Sequence, residues 1–301
     1  MPATCAKAEA LARALGRSMQ AQALAPRAPW RWLAPYRLPG ATHAFGPGFG
    51  SALALPPALA IGCGRGARSR PGCCANAAHA WCRSSIRAWT RGTGTLVIAP
   101  EHDGLHGANV LPVLGSLNPV DDAWLADAAA LFPALLTLPR PRTALLVGGP
   151  TRHAPWRSEN LQVQLEALRQ RTRNEGGSLL ATVSRRTPAP LLDLLRRHLQ
   201  GIPGLLWDGS GANPYPGMLA CADRIICTPD SVNMLSEACA TSAPVYVPDP
   251  TTTSGRIASY LRSLQSLGRI RAADDALAPF DATALRETAR VAAQVRERLA
   301  L

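Results

Sequence analysis

Short apolar runs alternate with amphipathic stretches along most of the chain. The apolar runs end in Gly, Pro or polar residues, as buried parallel strands do, and they are PALAIGCG, TLVIAPEHD, TALLVGGP, LLATVSRR, DRIICTPD and PVYVPDP. The stretches between them have helical periodicity, at residues 121–136, 157–174, 188–200, 230–241 and 283–300. This alternation predicts an α/β fold with doubly wound parallel sheets.

The best domain boundary is the Pro- and Arg-rich segment LPRPR, around residues 137–142. It predicts an N-terminal α/β domain over residues 1–140 and a second domain, of the nucleotide-binding kind, over residues 141–301. A helix at 283–300 would close the second domain by packing back on the protein, with a dimer contact as the alternative.

In doubly wound sheets, ligands bind beyond the carboxyl ends of the strands, so the residues that follow each strand are the candidates for function. Gly148 and Gly149 follow one strand and would let the backbone approach a ligand closely, although a tight turn explains them equally well. After the next strand, Ser184, Arg185, Arg186 and Thr187 precede a helix, with Thr187 as the predicted N-cap. A hydroxyl and two guanidiniums at a helix start form a candidate anion site; the alternative is a capped helix with solvated arginines.

The segment RIICTPDSVNMLSEAC contains the strongest pattern, because Asp230 and Ser231 open a helix directly after a strand. One of these two residues is expected to cap the helix. The functional interpretation adds that Ser231 and nearby backbone N–H groups receive a diphosphate, while Glu237 accepts hydrogen bonds from a ribose. The alternative for Glu237 is an exposed helix residue.

The run GGPTRH…TVSRRTP…GANPYPGMLACADRIICTPDSVNMLSEACATSAPVYV closely resembles a family of bacterial proteins related to a plant mitochondrial-fission protein. PALAIGCGR and LVIAPEHDGLHGANVLPVLGSLNPV match the same family, and the resemblance extends over most of residues 6–250. It implies two Rossmann-like domains arranged as in GT-B glycosyltransferases, with the nucleotide side in the second domain. Asn213, within GANPYPG, joins the expected ligand-binding residues on this basis. Bacterial members of the family are often labelled nucleoside-diphosphate-sugar epimerases.

In a GT-B arrangement, the first domain supplies the acceptor side and any general base. The segment APEHDGLHGANV offers His102 and Asp103 just past a strand, and a histidine beside a carboxylate can act as a base near neutral pH. The alternative is a loop with surface histidines. A metal site is not expected here, because no further soft ligand recurs at a suitable spacing.

The composition qualifies this picture in two ways. The net charge is +12, but only Lys7 among the 32 basic residues is lysine, and the arginines are scattered. The charge favours anionic partners such as phosphates or an acidic membrane surface, whereas sequence-specific binding of nucleic acid is not expected without a recognition motif. The longest apolar run is broken by Pro56 and Pro57, so no membrane span is expected, and the start of the chain predicts an amphipathic helix. We expect the protein to be cytoplasmic. The periphery of the inner membrane is the second location that we consider.

Residues 70–94 lack any period and contain Cys73, Cys74, His79 and Cys82. A zinc site needs better spaced ligands, and a disulfide knot fits poorly with a cytoplasmic α/β protein. A third interpretation, translation in the wrong reading frame, is favoured because a shifted frame can encode a strand that resembles the family. A shifted reading frame over residues 3–7 likewise encodes a start of the chain that resembles the family.

Together these features predict a GT-B-like protein that binds a nucleotide or nucleotide-sugar between its domains. The expected chemistry is glycosyl transfer or sugar epimerisation, with the nucleotide-sugar as substrate and no other cofactor. The alternative is a non-catalytic, membrane-peripheral scaffold that kept the fold.

Overall fold

A computed structural model describes residues 3–19, 59–63, 86–90, 94–155, 158–184, 186–274 and 276–301. It divides into two compact units. The first comprises Met1–Pro119 together with Glu287–Leu301, and the second comprises Val120–Arg286.

Strands and helices alternate through the described residues. In chain order they are α1 (Ala3–Ala14), β1 (Leu59–Cys63), β2 (Ile86–Thr90), β3 (Gly94–Pro100), a 3₁₀ turn (Glu101–Asp103), β4 (Val110–Val113), α2 (Asp122–Leu131), α3 (Pro133–Leu136), β5 (Arg142–Val147), α4 (Ser158–Glu175), β6 (Ser178–Val183), α5 (Ala189–Leu199), β7 (Gly204–Trp207), α6 (Tyr215–Cys221), β8 (Arg224–Cys227), α7 (Val232–Cys239), β9 (Val245–Val247), a second 3₁₀ turn (Pro250–Thr252), α8 (Gly255–Ser266), β10 (Ile270–Ala272) and α9 (Glu287–Leu299).

The first unit has a four-stranded sheet in the order β1-β2-β3-β4. Only β3 and β4 run parallel, while β2 is antiparallel to both β1 and β3. The expectation that PALAIGCG forms a parallel strand is therefore wrong. This segment forms β1, whose neighbour in the sheet is β2. Strand β2 lies inside residues 70–94, where the sequence pattern predicted no strand.

Strand β2 forms within residues 70–94 because alternate side chains bury one face of it. Ile86 and Ala88 are buried, and both ladders of β2 extend over its full length. Cys73, Cys74, His79 and Cys82 lie outside the described residues. In the part of the chain that is described, no group of three or more His, Cys, Asp or Glu side chains could hold a metal ion.

The last helix, α9, belongs to the first unit, and the boundary falls after Pro119, earlier than the one predicted at 140/141. Val291, Val295 and Leu299 lie four residues apart on one face of α9 and pack into the core of the first unit with α1. The start of α9 is held as well, because the Glu287 carboxylate accepts a hydrogen bond from the Leu114 N–H at 2.7 Å. The amphipathic pattern predicted the helix, but it did not show which core the helix joins.

The second unit has a six-stranded sheet in the order β10-β9-β8-β5-β6-β7, and every neighbouring pair in it is parallel. The chain builds outward from β5 through β6 to β7, then returns to β8 and builds the other way. This is the strand order of the doubly wound dinucleotide-binding fold. The predicted α/β class with a parallel sheet is thereby confirmed.

Helices cover both faces of this sheet, which explains why every residue of β5 is buried. On one face, α4 and α5 pack Leu165 and Leu195 against Leu145. On the other face, Met218 of α6 packs against Leu180. Because both faces are covered, the carboxyl edge of the sheet is where polar residues can gather. Among the helices that the structure describes, none combines the length and apolar character that crossing a membrane requires.

Arg269 stabilises the C-terminal end of α7 from the interior of the second unit. Its side chain is buried, and it donates hydrogen bonds to the carbonyl oxygens of Cys239 at 3.0 Å and Thr241 at 2.7 Å. It also reaches the carbonyls of Ala238 and Ala243. These carbonyls lie at and just beyond the C-terminus of the helix, where backbone acceptors have no partner within the helix. Arg269 therefore stabilises the helix on which the candidate site depends.

Replacing Arg269 with Met is expected to destabilise the protein by about 3 kcal/mol, because several buried carbonyls lose their donor at once. Urea unfolding measures the loss. Arg262→Met on the exposed side of α8 is the control, and it should change the free energy of unfolding by less than about 0.5 kcal/mol. Equal effects of the two substitutions would contradict the role of Arg269.

Candidate functional site at the switch point of the sheet

The strand order of the second unit reverses between β5 and β8, which are parallel neighbours with Leu146 opposite Cys227. Ligands of doubly wound proteins bind in the crevice at this reversal, outside the carboxyl ends of the two strands. Gly148 and Gly149 follow β5, while Thr228 and Asp230 follow β8. The sequence therefore places its glycine pair and its acidic helix start at the same point of the sheet.

Asp230 is the centre of this cluster. Its side chain is fully buried, and its Oδ1 accepts a hydrogen bond from the Thr228 hydroxyl at 2.7 Å. Its Oδ2 accepts from the Gly149 N–H at 3.1 Å and from Nη2 of Arg186 at 2.9 Å. A buried carboxylate is tolerated only when such donors surround it. Asp230 thus joins the loop after β5, the loop after β6 and the loop after β8.

Thr228 and the glycine pair complete the junction. The Thr228 hydroxyl oxygen accepts from the Gly148 N–H at 2.8 Å. A Cβ at Gly148 would overlap the carboxylate of Asp230, and a Cβ at Gly149 would overlap the backbone carbonyl of Arg186. The close approach that only glycine permits is therefore made to the protein's own carboxylate and backbone.

Ser184 and Thr187 hold the loop after β6. The Thr187 hydroxyl donates to the Gly148 carbonyl at 2.8 Å and accepts from the Ser184 N–H at 2.9 Å. Ser184 in turn accepts from the Arg186 N–H through its hydroxyl at 3.1 Å. Thr187 was predicted as the N-cap of the next helix, but α5 begins at Ala189 after Pro188, and no side chain caps it. The hydroxyl of Thr187 is used to tie β6 to β5 instead.

Arg186 presents a guanidinium at the surface of the cluster, with its side chain 52% exposed while Asp230 beneath it is fully buried. One of its N–H groups is fixed on Asp230, which orients the planar group. A guanidinium carries five N–H donors, so an oriented and exposed one can still receive an anion. Arg185, the second predicted arginine, lies outside the described residues.

Helix α7 begins at this cluster, as the sequence predicted. Ser231 is its N-cap, and its hydroxyl oxygen accepts from the Met234 N–H at 3.4 Å. Glu237 lies further along α7 and is half-buried, so it is not the exposed helix residue that the structural alternative described. Its Oε2 accepts a hydrogen bond from the Tyr215 hydroxyl at 2.6 Å.

Tyr215 and Thr228 are the residues of this region that sequence reasoning missed. The backbone N–H of Tyr215 donates to Oδ1 of Asn213 at 3.0 Å, so the predicted ligand residue Asn213 has a structural partner at the start of α6. Burial, and after it the Glu237 carboxylate, raise the pKa of the Tyr215 phenol well above its usual value. Tyr215 precedes Glu237 by 22 residues, and no spacing rule connects the first residue of one helix with a glutamate in the next helix.

The pKa of the buried Cys227 thiol, at the end of β8, is shifted by burial and by the charges around it. Burial raises the pKa of this thiol most, and the charges of Asp230, Cys239 and Glu237 raise it further. Asp230 precedes the N-cap of α7, and Glu237 lies further along the same helix.

His102 and Asp103 belong to the first unit. They lie in the 3₁₀ turn that directly follows β3, and the turn ends at Gly104 in a left-handed conformation with φ 64°. Both side chains are half-buried. Hydrogen bonds bring together six of the predicted residues, namely Gly148, Gly149, Ser184, Arg186, Thr187 and Asp230, and Ser231 follows at the start of α7. Asn213 and Glu237 are hydrogen-bonded to Tyr215, and His102 and Asp103 lie at a strand end of the first unit.

Fold and site define a doubly wound α/β protein whose Gly-Gly, Thr, Asp and Arg residues meet at the switch point of a parallel sheet. The chain belongs to the mitochondrial fission ELM1 family, whose family model matches residues 4–299. The resemblance found in the sequence is thereby confirmed.

Two relatives show how far the similarity extends. The mitochondrial fission protein ELM1 of Arabidopsis thaliana is 31% identical over 197 residues, which are 64% of this chain and 46% of that protein. The protein RP120 of Rickettsia prowazekii (strain Madrid E) is 27% identical over 155 residues, 49% of this chain and 42% of the relative. The chain therefore spans less than half the length of these two relatives.

Solved structures with partial similarity include the glycosyltransferase WaaG, involved in lipopolysaccharide biosynthesis, with 12% identity and a TM-score of 0.34 over 67% of this chain and 50% of that one. A glycosyl transferase of family 9 from Veillonella parvula DSM 2008 has 9% identity and a TM-score of 0.32, over 62% and 54% of the two chains. These scores are too low to support the fold or the function. The GT-B arrangement of the two units stays a prediction.

The tight contact between Gly148 and Asp230 predicts non-additive stability effects. Gly148→Ala should cost about 2 kcal/mol, because the new methyl group displaces the buried carboxylate. Asp230→Ala should also destabilise the protein, since three donors lose their acceptor. The double variant should cost at least about 1 kcal/mol less than the sum, because the overlap is gone. Urea unfolding of the four proteins measures this coupling, and additive losses would show that the contact is absent.

Proposed function

We propose that the second unit binds a nucleotide or nucleotide-sugar at the switch point of its sheet. The observation that carries this proposal is the Arg186 guanidinium, exposed on its outer side and anchored below on the buried Asp230 carboxylate. A surface arginine normally loses conformational freedom when it binds an anion. Here the ion pair with Asp230 already orients it, so binding of a diphosphate costs less.

The start of α7 is the second part of the proposed phosphate site. Its first N–H groups have no acceptor within the helix, and the positive end of the helix favours an anion. The Ser231 hydroxyl oxygen accepts from the Met234 N–H, and its own proton remains a donor for a phosphate oxygen. Gly148, Gly149, Ser184 and Thr187 shape the floor of this site. By its position next to Arg186 in the sequence, Arg185 would add a second cation, and by the family resemblance Asn213 would border the ligand.

Glu237 would bind the ribose of the same nucleotide. It lies on the helix that begins at Ser231, so a ligand with its diphosphate at the helix start can direct its ribose along the helix. A carboxylate accepts hydrogen bonds from both hydroxyls of a ribose, as acidic residues do in dinucleotide folds. Asp230 immediately precedes the N-cap of the helix that carries Glu237, so the two carboxylates belong to one continuous segment of the chain.

The proposed chemistry is glycosyl transfer or sugar epimerisation. Arg186 would stabilise the charge of a departing diphosphate, which is the contribution expected of a preorganised cation. His102 or Asp103 of the first unit would act as the base on the acceptor.

A non-catalytic role at an acidic membrane surface is the competing proposal. The net charge of +12 supports it, as does the name of the plant relative, a mitochondrial fission protein. A scaffold of this kind would be cytoplasmic and peripheral at the inner membrane. It would keep the Asp230 cluster as a structural junction and bind no nucleotide.

Thermal unfolding with UDP, GDP, ADP and their sugar conjugates distinguishes the two proposals. A nucleotide present at about 100 times its Kd should raise the melting temperature by about 5 °C or more. Glu237→Ala should abolish this shift. Arg186→Ala should weaken binding at least about tenfold, because a charge-assisted hydrogen bond to the diphosphate is lost.

Arg196→Ala is the matched control. Arg196 has a side chain 50% exposed and is also paired with aspartates, but it lies on α5 away from the cluster. Each shift is referred to the melting temperature of the same variant without ligand. If no nucleotide in the panel moves the melting curve of the unaltered chain, the enzyme proposal is abandoned in favour of the scaffold.

A further inference from the structure

The hydrogen bond between Tyr215 and Glu237 is among the shortest in the second unit, with 2.6 Å between the hydroxyl oxygen and Oε2. It joins α6 to α7, the helices that precede and follow strand β8 in the chain. Both side chains are half-buried. A hydroxyl that donates to an ionised carboxylate forms a charge-assisted bond, which is shorter and stronger than one between neutral groups.

Tyr215 is held in place independently of Glu237. It is the first residue of α6, where its backbone N–H donates to the Asn213 side chain and prolines flank it on both sides. Further along α6, Gly217 lies so close to Phe132 that a Cβ there would be 2.7 Å from Cβ of the phenylalanine. Helix α6 is thereby locked against the segment that joins α2 and α3. The backbone that carries the Tyr215 side chain is therefore fixed without help from Glu237.

Tyrosine differs from lysine or arginine at this position because its donor group carries no charge. Burial and the Glu237 carboxylate both raise the pKa of the phenol, so Tyr215 remains a neutral donor at physiological pH. A neutral donor can fix the orientation of a carboxylate without adding a positive charge beside it. The carboxylate keeps its strength as an acceptor, since two oxygens offer about four lone-pair positions in all.

We propose that Tyr215 is a positioning residue for ribose recognition: it fixes the carboxylate of Glu237 in the orientation that accepts hydrogen bonds from the 2′ and 3′ hydroxyls of a nucleotide. This inference rests on the proposed function and deepens it. It makes Tyr215 the source of the preference for ribonucleotides over 2′-deoxyribonucleotides. Without the phenol, Glu237 can adopt other rotamers, and the two-point contact with the ribose loses its geometry.

The test is the ratio of the dissociation constants for deoxyribonucleotides and ribonucleotides, measured by calorimetry on the full chain. The probes are UDP, GDP and ADP, each beside its 2′-deoxy counterpart. The unaltered protein should prefer a ribonucleotide at least about tenfold, the value of one hydrogen bond to a charged group. Tyr215→Phe should reduce this preference to less than about threefold, chiefly by weakening the ribonucleotide.

Tyr260→Phe is the matched control. The Tyr260 hydroxyl is buried and hydrogen-bonds the Ser236 hydroxyl at 2.9 Å, so the substitution removes one tyrosine hydroxyl beside the same helix, at the residue next to Glu237. It should leave the ribose preference unchanged. Tyr215→Leu is a second variant that removes the same hydroxyl, and it should lower the preference in the same direction even if Tyr215→Phe does not fold.

The possible results separate the inference from the proposed function. If Tyr215→Phe weakens ribonucleotide and deoxyribonucleotide equally, the tyrosine is only structural, and the inference fails while nucleotide binding stands. If Tyr215→Phe binds ribonucleotides more tightly, the phenol competes with the ribose, and the inference fails in the opposite sense. If the unaltered protein binds none of the probes, the proposed function and the inference fail together.

Discussion

The buried carboxylate of Asp230 is the acceptor on which the arrangement of the second unit's carboxyl edge depends. It receives hydrogen bonds from the backbone after β5, from the Arg186 side chain after β6 and from the Thr228 hydroxyl after β8. Three loops that approach from different strands are thereby fixed to one charge. Burying that carboxylate costs free energy, which these three hydrogen bonds offset. Gly148 leaves space for the carboxylate itself, and Gly149 leaves space for the backbone carbonyl of Arg186. The same interaction orients the exposed arginine that the proposed phosphate site requires.

The hydrogen bond between Tyr215 and Glu237 extends the candidate site along α7. The helix starts at Ser231 beside the Asp230 cluster, carries Glu237 in its interior and is fastened at its other end by Arg269. The structure thus supplies a helix start at Ser231 and a held carboxylate at Glu237 along α7, and Arg186 reaches Asp230 beside that helix start from the loop after β6. A nucleoside diphosphate offers the complementary series of diphosphate and ribose. The switch-point geometry agrees with this proposal, whereas the competing scaffold proposal explains the same geometry as a structural junction alone.

Much of the second unit could be predicted from the sequence, because central strands such as β5 are buried on both faces and recognisable residue pairs follow them, Gly148-Gly149 after β5 and Asp230-Ser231 at the helix start after β8. Local chemistry was sufficient to place Asp230 and Ser231 at a helix start. The role of Thr187 could not be predicted, since the choice between capping a helix and bonding the Gly148 carbonyl depends on a neighbouring strand. The partner of Glu237 depends on where α6 packs, and the unit that α9 joins depends on which core accepts its apolar face. Sequence periodicity carries neither kind of information.

The central claim is that a nucleotide binds where Asp230 joins the three loops. Amide chemical shifts of the isotopically labelled protein, recorded while UDP, GDP or ADP is added, test it most directly. The account predicts saturable shifts at the amides of Gly149, Arg186 and the first residues of α7, with smaller changes at Glu237. Shifts confined to other strand ends, or no shifts with any of the three nucleotides, would contradict it.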